Sequence, residues 1–349
     1  MRIAWFASSL VSSYWNGAAT YYRGLVRALA ERGHAVTFYE PDAYERQAHR
    51  DIEDPPWAEV VVWEPTEENA RRLVRGEHGA DLVVKASGVG VLDDVLEDAL
   101  ASLDGPTRVF WDVDAPATLA AADDRFAALV PRFDLVLTYG GGEPVVERYL
   151  ELGARECVPV YNALDPETHH PAEPDPRFDA DLGFLGNRLP DREARVERLF
   201  LRAAELLPER RFLLGGSGWE ARRLPANVAY LGHVGTDDHN GFNATPLAVL
   251  NVTRDSMVEN GWSPPTRVFE AAGAGACLIT DAWQGIEEFL EPGVEVLVAD
   301  DGDDVARHVR ELTPEAAARV GAAARERVLR DHTYAQRAEQ VEDVLGVRA

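Results

Sequence analysis

Short apolar runs separated by amphipathic segments recur along nearly the whole chain, and this alternation most restricts the fold. In the first half the runs fall at residues 3–7, 36–39, 60–63, 82–84, 109–111, 135–137 and 158–160. Helical spacing is expected between them at 19–32, 67–75, 92–103, 117–129 and 143–152, with Gly33 as a C-terminal stop. A second series of strands is expected at 181–185, 212–214, 228–231, 247–252, 277–280 and 294–299. Helices are expected at 191–207 and 304–312, and Thr313-Pro314 caps and opens another. Strands alternating with helices imply βα units around parallel sheets. The class is α/β, with two similar halves expected to face each other across a cleft.

At 349 residues the chain is longer than one core usually serves. The expected division is 1–165, a linker at 166–180, 181–333, and a helix at 334–349 that crosses back onto the first domain. The linker region breaks the rhythm with four prolines, Pro166, Pro171, Pro174 and Pro176, and several acids. It also holds His169-His170. No further His or Cys sits nearby at ligand spacing, so no metal site is expected.

The stretch from Ser263 to Asp281 carries the most chemistry. Pro264 and Pro265 suit a first helical turn, where their missing N–H is not needed. The free N–H groups of such a start, near Ser263 and Thr266, attract an anion such as a diphosphate, and Arg267 adds a fork of donors. Glu270 lies on the same helical face, where a carboxylate accepts from both hydroxyls of a ribose. Gly273 and Gly275 allow a tight turn into the strand that follows. The plain alternative is a surface Arg267–Glu270 pair.

The net charge of −25 disfavours nucleic acid and anionic membranes as partners. No apolar run is long enough to span a membrane, and the start lacks a signal-peptide core, so a cytoplasmic location is expected. Cys157 and Cys277 lie in separate halves, as reduced core thiols would. Lys85 is the only lysine among 35 basic residues and follows a strand, which marks it as a candidate contact for phosphate or acceptor.

The C-terminal half resembles glycosyltransferases of the two-Rossmann-domain GT-B class, closest to the spore-maturation CgeB-like branch. The resembling blocks are Phe184-Leu-Gly186-Asn187 with Arg192, Leu213 to Trp219 including Gly216, Tyr230-Leu-Gly-His233, Leu250 to Arg254, Arg267-Val-Phe-Glu270, and His332-Thr-Tyr334 with Arg337. Looser likeness covers Phe38-Tyr-Glu-Pro41, Lys85 to Gly90 and Trp111 to Pro116.

The resemblance implies transfer of a sugar from a nucleoside diphosphate to an unidentified acceptor, with no catalytic metal or other cofactor. Residues 1–165 would serve the acceptor side and 181–333 the donor. Arg267 and Glu270 match the family's phosphate and ribose positions. Many retaining members carry a second glutamate eight residues before the ribose-binding one, and here that place is Trp262, with Glu259 out of register.

Metal-free transfer needs donors for the departing diphosphate, and Arg254 and Arg267 are the candidates. The loop 8–18, with Asn16 and Gly17, is expected to present backbone donors. Asp112 and Asp114, at a strand end, are candidate bases, and one could instead cap a helix at Pro116. His233 is a candidate for the nucleobase pocket, with packing as the alternative, and Trp15, Tyr21 and Tyr22 could stack on a sugar or acceptor or, as aromatic helix positions usually do, fill core. Rival readings are a nucleotide-sugar 2-epimerase and a nucleotide-sugar-binding protein without turnover.

Overall fold

A computed structural model of the chain describes residues 1–14 and 16–347. It forms two compact units, Met1–Asn162 with Tyr334–Ala349, and Ala163–Thr333.

Seven strands build the first unit: β1 (Arg2–Phe6), β2 (Ala35–Pro41), β3 (Glu59–Trp63), β4 (Leu82–Ala86), β5 (Thr107–Asp112), β6 (Leu135–Thr138) and β7 (Cys157–Pro159). They pair in parallel in the order β3-β2-β1-β4-β5-β6-β7. A parallel sheet needs cover on both faces, so its central strands read as continuous apolar runs. Trp5 of β1 stacks near Phe38 and lies 4.7 Å from Trp111, centroid to centroid. Tyr21 and Tyr22 fill this same core. The Tyr21 hydroxyl donates to the Val160 carbonyl at 2.7 Å and accepts from the Trp111 indole at 3.0 Å. Both tyrosines are therefore corrected from sugar-stacking candidates to packing residues, and Trp15 lies outside the described residues.

The helix expected at 117–129 is two, Ala115–Ala120 and Asp124–Leu129. The Asp123 carboxylate accepts from the Phe126 N–H at 2.8 Å and starts the second one afresh. The last helix, Tyr334–Leu345, packs on the first, Ala19–Glu31. The Tyr334 ring occupies the space a Cβ would need at Gly24, and Glu342 is ion-paired with Arg32 and hydrogen-bonded to His34 at 2.7 Å.

The second unit has β8 (Leu182–Leu185), β9 (Phe212–Gly215), β10 (Val228–Gly232), β11 (Ala248–Asn251), β12 (Leu278–Asp281) and β13 (Leu297–Ala299). All are parallel, in the order β10-β9-β8-β11-β12-β13. Counted from its own first strand, this repeats the winding of the first sheet, so both units are Rossmann-like.

Residues 163–179 are packed onto the second unit. Leu164 bridges to Thr333, and the buried Phe178 ring meets Phe242 at 5.5 Å. Short helices at His239–Ala244 and Asp255–Asn260 were not legible as periodic patterns. The helix after Pro264-Pro265 starts only at Thr266, with Pro265 extended just before it, so neither proline lies in the first turn. Among the described residues no helix is long and apolar enough to cross a membrane.

Candidate functional site

In the second unit the strand ends carry two glycine turns that press together. Gly216 has φ +114°, and a Cβ there would meet the Gly186 carbonyl oxygen at 2.3 Å. Only glycine fits that approach. The turns are cross-tied, since the Asn187 side-chain oxygen accepts from the Ser217 N–H at 2.9 Å and the Trp219 indole donates to the Gly186 carbonyl at 2.8 Å.

This frame positions Arg192. Its Nη2 donates to the Asn187 carbonyl at 2.5 Å, while its Nε is buried with no hydrogen-bond partner. Burial, together with the charges of Arg267 and Arg254, pushes the Arg192 pKa down to about 10. Arg254, after β11, is ion-paired with Asp191 at 2.6 Å. Arg267 has no hydrogen-bond or ion-pair partner among the described residues, and its pKa too is lowered by desolvation, with only the Glu270 charge opposing. Arg192, repelled by the charges of Arg267 and Arg254 and holding an orphaned donor, makes a site that an anion relieves.

Arg267 sits in the first turn of the helix Thr266–Gly273, so the free N–H groups of that turn are close in sequence to its fork. The Ser263 hydroxyl is already committed to the Gly261 carbonyl at 2.9 Å. Thr266 hydrogen-bonds the Glu270 carboxylate one turn on. Burial raises the Glu270 pKa, but His169, Arg267 and His239 together with Thr266 bring it below the ordinary glutamate value. Glu270 is thus kept ionised while buried. The surface ion pair between Arg267 and Glu270, the plain alternative for this stretch, is absent among the described contacts.

The ground for expecting no metal ligands fails here. His169, His239 and Glu270, distant in sequence, offer ligand atoms that all lie within 4.8 Å of one another. His233 is exposed on the loop after β10, with Val234 buried beside it. Trp262 has φ +39°, its indole donates to Glu288 at 2.6 Å, and its ring covers Gly285, while Glu259 is exposed. No carboxylate takes the place of the family's second glutamate at position 262.

In the first unit the candidates are more thoroughly engaged. Lys85 is fully buried, donating to Asp93 and to the Ala86 carbonyl, both at 2.7 Å. Its ammonium is spent on structure, which corrects its assignment to phosphate or acceptor. Asp112 is also fully buried and accepts from the hydroxyls of Ser87 (2.7 Å), Thr118 (2.8 Å) and Tyr149, and from the Asp114 N–H at 3.0 Å. Burial pushes its pKa up, but no acceptor hydroxyl can reach it, so Asp112 is corrected from base to structural hub. Asp114 is half-buried at the start of the helix Ala115–Ala120 without capping it through its side chain.

The loop 8–18 was expected to show a row of backbone donors. Most are used internally: Leu10 and Val11 N–H on the Glu40 carboxylate, Ser12 on Ser9, Ser13 on Asp51 and Asn16 on the Ser13 carbonyl. The buried Asn16 amide donates to the Ser9 and Ser12 carbonyls at 2.8 and 3.0 Å. Gly17 is exposed, with open space where a Cβ would stand.

Sequence reasoning named Arg192 only within a resembling block and did not place it among the site residues. His239 carried no signal, because it stands in a short helix with no apolar periodicity.

Residues 192–343 match the family model described as Glycosyl transferase-like. No curated protein sequence gives a significant match. Sucrose-phosphate synthase from Thermosynechococcus elongatus shares the fold at a TM-score of 0.75 and 14% identity, over 99% of this chain and 98% of that one. The Anabaena protein HepE, solved in complex with UDP and glucose, shares it at 0.69 and 15% over 99% of both chains. AviGT4, a glycosyltransferase involved in avilamycin A biosynthesis, does so at 0.62 and 18%, over 99% and 96%.

Proposed function

We propose that this chain, glycosyl transferase-like over residues 192–343 and of glycosyltransferase fold throughout, transfers a sugar from a nucleoside diphosphate to an acceptor hydroxyl. The observation that carries the reading is the group of Arg192, Arg254 and Arg267 beside the ionised Glu270. The guanidinium groups would take the diphosphate, bidentately where geometry allows, and Glu270 the ribose hydroxyls. As the glycosidic bond to the donor breaks, negative charge grows on the leaving diphosphate, and fixed cationic donors stabilise it without reorganisation. They would take the place of a divalent ion, so transfer is expected to persist in EDTA.

Asp114 is the remaining base candidate for the acceptor proton, and the CgeB-like branch is the finer family assignment. A cytoplasmic location, where nucleotide sugars are supplied, agrees with two buried free thiols, each pushed up to about 12 by burial. The 2-epimerase alternative is not favoured, because the matching family model is described as glycosyl transferase-like and AviGT4 is a glycosyltransferase.

The test is calorimetry of the purified chain against UDP, GDP, dTDP and ADP with EDTA present. UDP is the first choice, given the UDP complex of the Anabaena neighbour. Binding of one nucleotide, followed by release of that nucleotide from its sugar on adding acceptors, is expected. Binding without any turnover would leave a nucleotide-sugar-binding protein, and no binding at all would remove the donor-site assignment.

A further inference from the structure

We propose that His169, His239 and Glu270 form a zinc-binding site within the second unit. Their ligand atoms already lie within 4.8 Å of one another, and they come from three places: the segment after β7, the start of the helix His239–Ala244 and the helix Thr266–Gly273. Two imidazoles and a carboxylate are a donor set that zinc accepts in tetrahedral geometry, leaving a fourth position for water or another ligand. Magnesium and calcium, which take oxygen ligands, are disfavoured by it.

The outer partners fit as well. His169 turns Nε2 toward Glu270 Oε1 at 4.0 Å, and its Nδ1 is held by the Thr168 hydroxyl at 3.1 Å. His239 has the Val234 backbone as a hydrogen-bonding neighbour. Imidazoles that bind metal are fixed in this way through the ring nitrogen that does not ligate. Zinc bonds of about 2.0–2.2 Å place tetrahedral donor atoms roughly 3.3 Å apart, so the cluster closes by small side-chain rotations. An ion pair alone would need a single imidazolium beside one carboxylate; a metal accounts for both histidines.

The site rests on these three side chains and not on the nucleotide reading. It does share Glu270 with the proposed ribose contact, so zinc and nucleotide should compete. Zinc would also fasten the segment carrying His169 to the donor-side helix.

The test uses the full chain stripped with EDTA, titrated with zinc chloride by calorimetry and with cobalt chloride by visible absorption. Expected are one equivalent bound, a higher Tm with zinc, and cobalt ligand-field bands. His169→Ala and His239→Ala should each weaken zinc binding by roughly 100-fold or more, while His170→Ala next door leaves it unchanged. His169→Gln and His239→Gln, with circular dichroism melts, separate a lost ligand from a lost fold. Absence of stoichiometric binding, or binding that survives both histidine substitutions in folded protein, overturns the site. A UDP titration with and without zinc then reads the competition: equal UDP affinity in both states would refute the sharing of Glu270. Failure of UDP to bind in either state would count against the nucleotide reading, with the zinc titration still deciding the site.

Discussion

The two sheets wind in the same order, yet the charged groups at the carboxyl ends of their strands are treated in opposite ways. In the first unit Lys85 is locked between Asp93 and the Ala86 carbonyl, and Asp112 gathers four donors. In the second, Arg192 keeps a buried Nε without a partner, and Arg267 has none among the described residues. Partly buried cations whose donors are not all matched are costly, and folds retain them where a ligand supplies the missing charge. One scaffold thus spends its polar groups on holding loops, and its counterpart holds donors in reserve.

The largest expected effect breaks the first half of that comparison. Lys85→Met leaves Asp93 and Glu97 without their central cation, and removing one partner of a buried pair costs about 3–5 kcal/mol. Chemical denaturation should show this loss, with UDP affinity of the surviving folded protein unchanged. Arg267→Ala should do the reverse. A charged hydrogen bond to phosphate is worth about 1.5–3 kcal/mol, so UDP binding should weaken roughly 10- to 100-fold, while stability holds or rises as the repulsion on Arg192 is relieved. A clear loss of stability instead would mean that Arg267 is a structural group, and the contrast between the units would go. Glu270→Ala should weaken UDP binding by about 1.5–3 kcal/mol, the scale of a hydrogen bond from a ribose hydroxyl to a carboxylate. Asp114→Asn is a finer probe: binding unchanged and transfer reduced, read as kcat against KM.

The strands were legible because a parallel sheet buried on both faces leaves no polar alternation to confuse the reading. All thirteen fall on the apolar runs, although residues 294–296 precede β13 instead of joining it. Short helices such as His239–Ala244 were not legible, since their hold comes from packing: Phe242 is buried against Phe178. Among site residues, the pattern around Arg267 and Glu270 was visible because it is local. Whether Lys85 or Asp112 faced a ligand was not, because that depends on Asp93 and Tyr149 arriving from two helices and Ser87 from a loop. The same non-local convergence hid His239 from His169.

The smallest effect tests whether the Lys85 pair behaves as a closed structural unit. Burial raises the Asp93 pKa, but the Lys85 charge and hydrogen bond, with the Gly90 and Val89 N–H groups, bring it below the ordinary aspartate value of 3.8. A carboxylate with a depressed folded pKa stabilises the protein above its unfolded pKa, and that contribution is lost as pH falls through the folded value. The acid limb of stability below about pH 4 should therefore contain an Asp93 component. Asp93→Asn and Lys85→Met should both flatten the limb, because the first removes the titrating group and the second the charge that depresses it. Asp112 opposes this, since its raised pKa makes folding less favourable as pH rises from its unfolded value. The two windows lie on opposite sides of the ordinary aspartate value, so Asp112→Asn should remove a fall in stability above about pH 4 and leave the limb below it unchanged. Thermal melts across that range distinguish them, and identical slopes for Asp93→Asn and the parent would mean that the ordered ends of the first unit owe nothing to this pair.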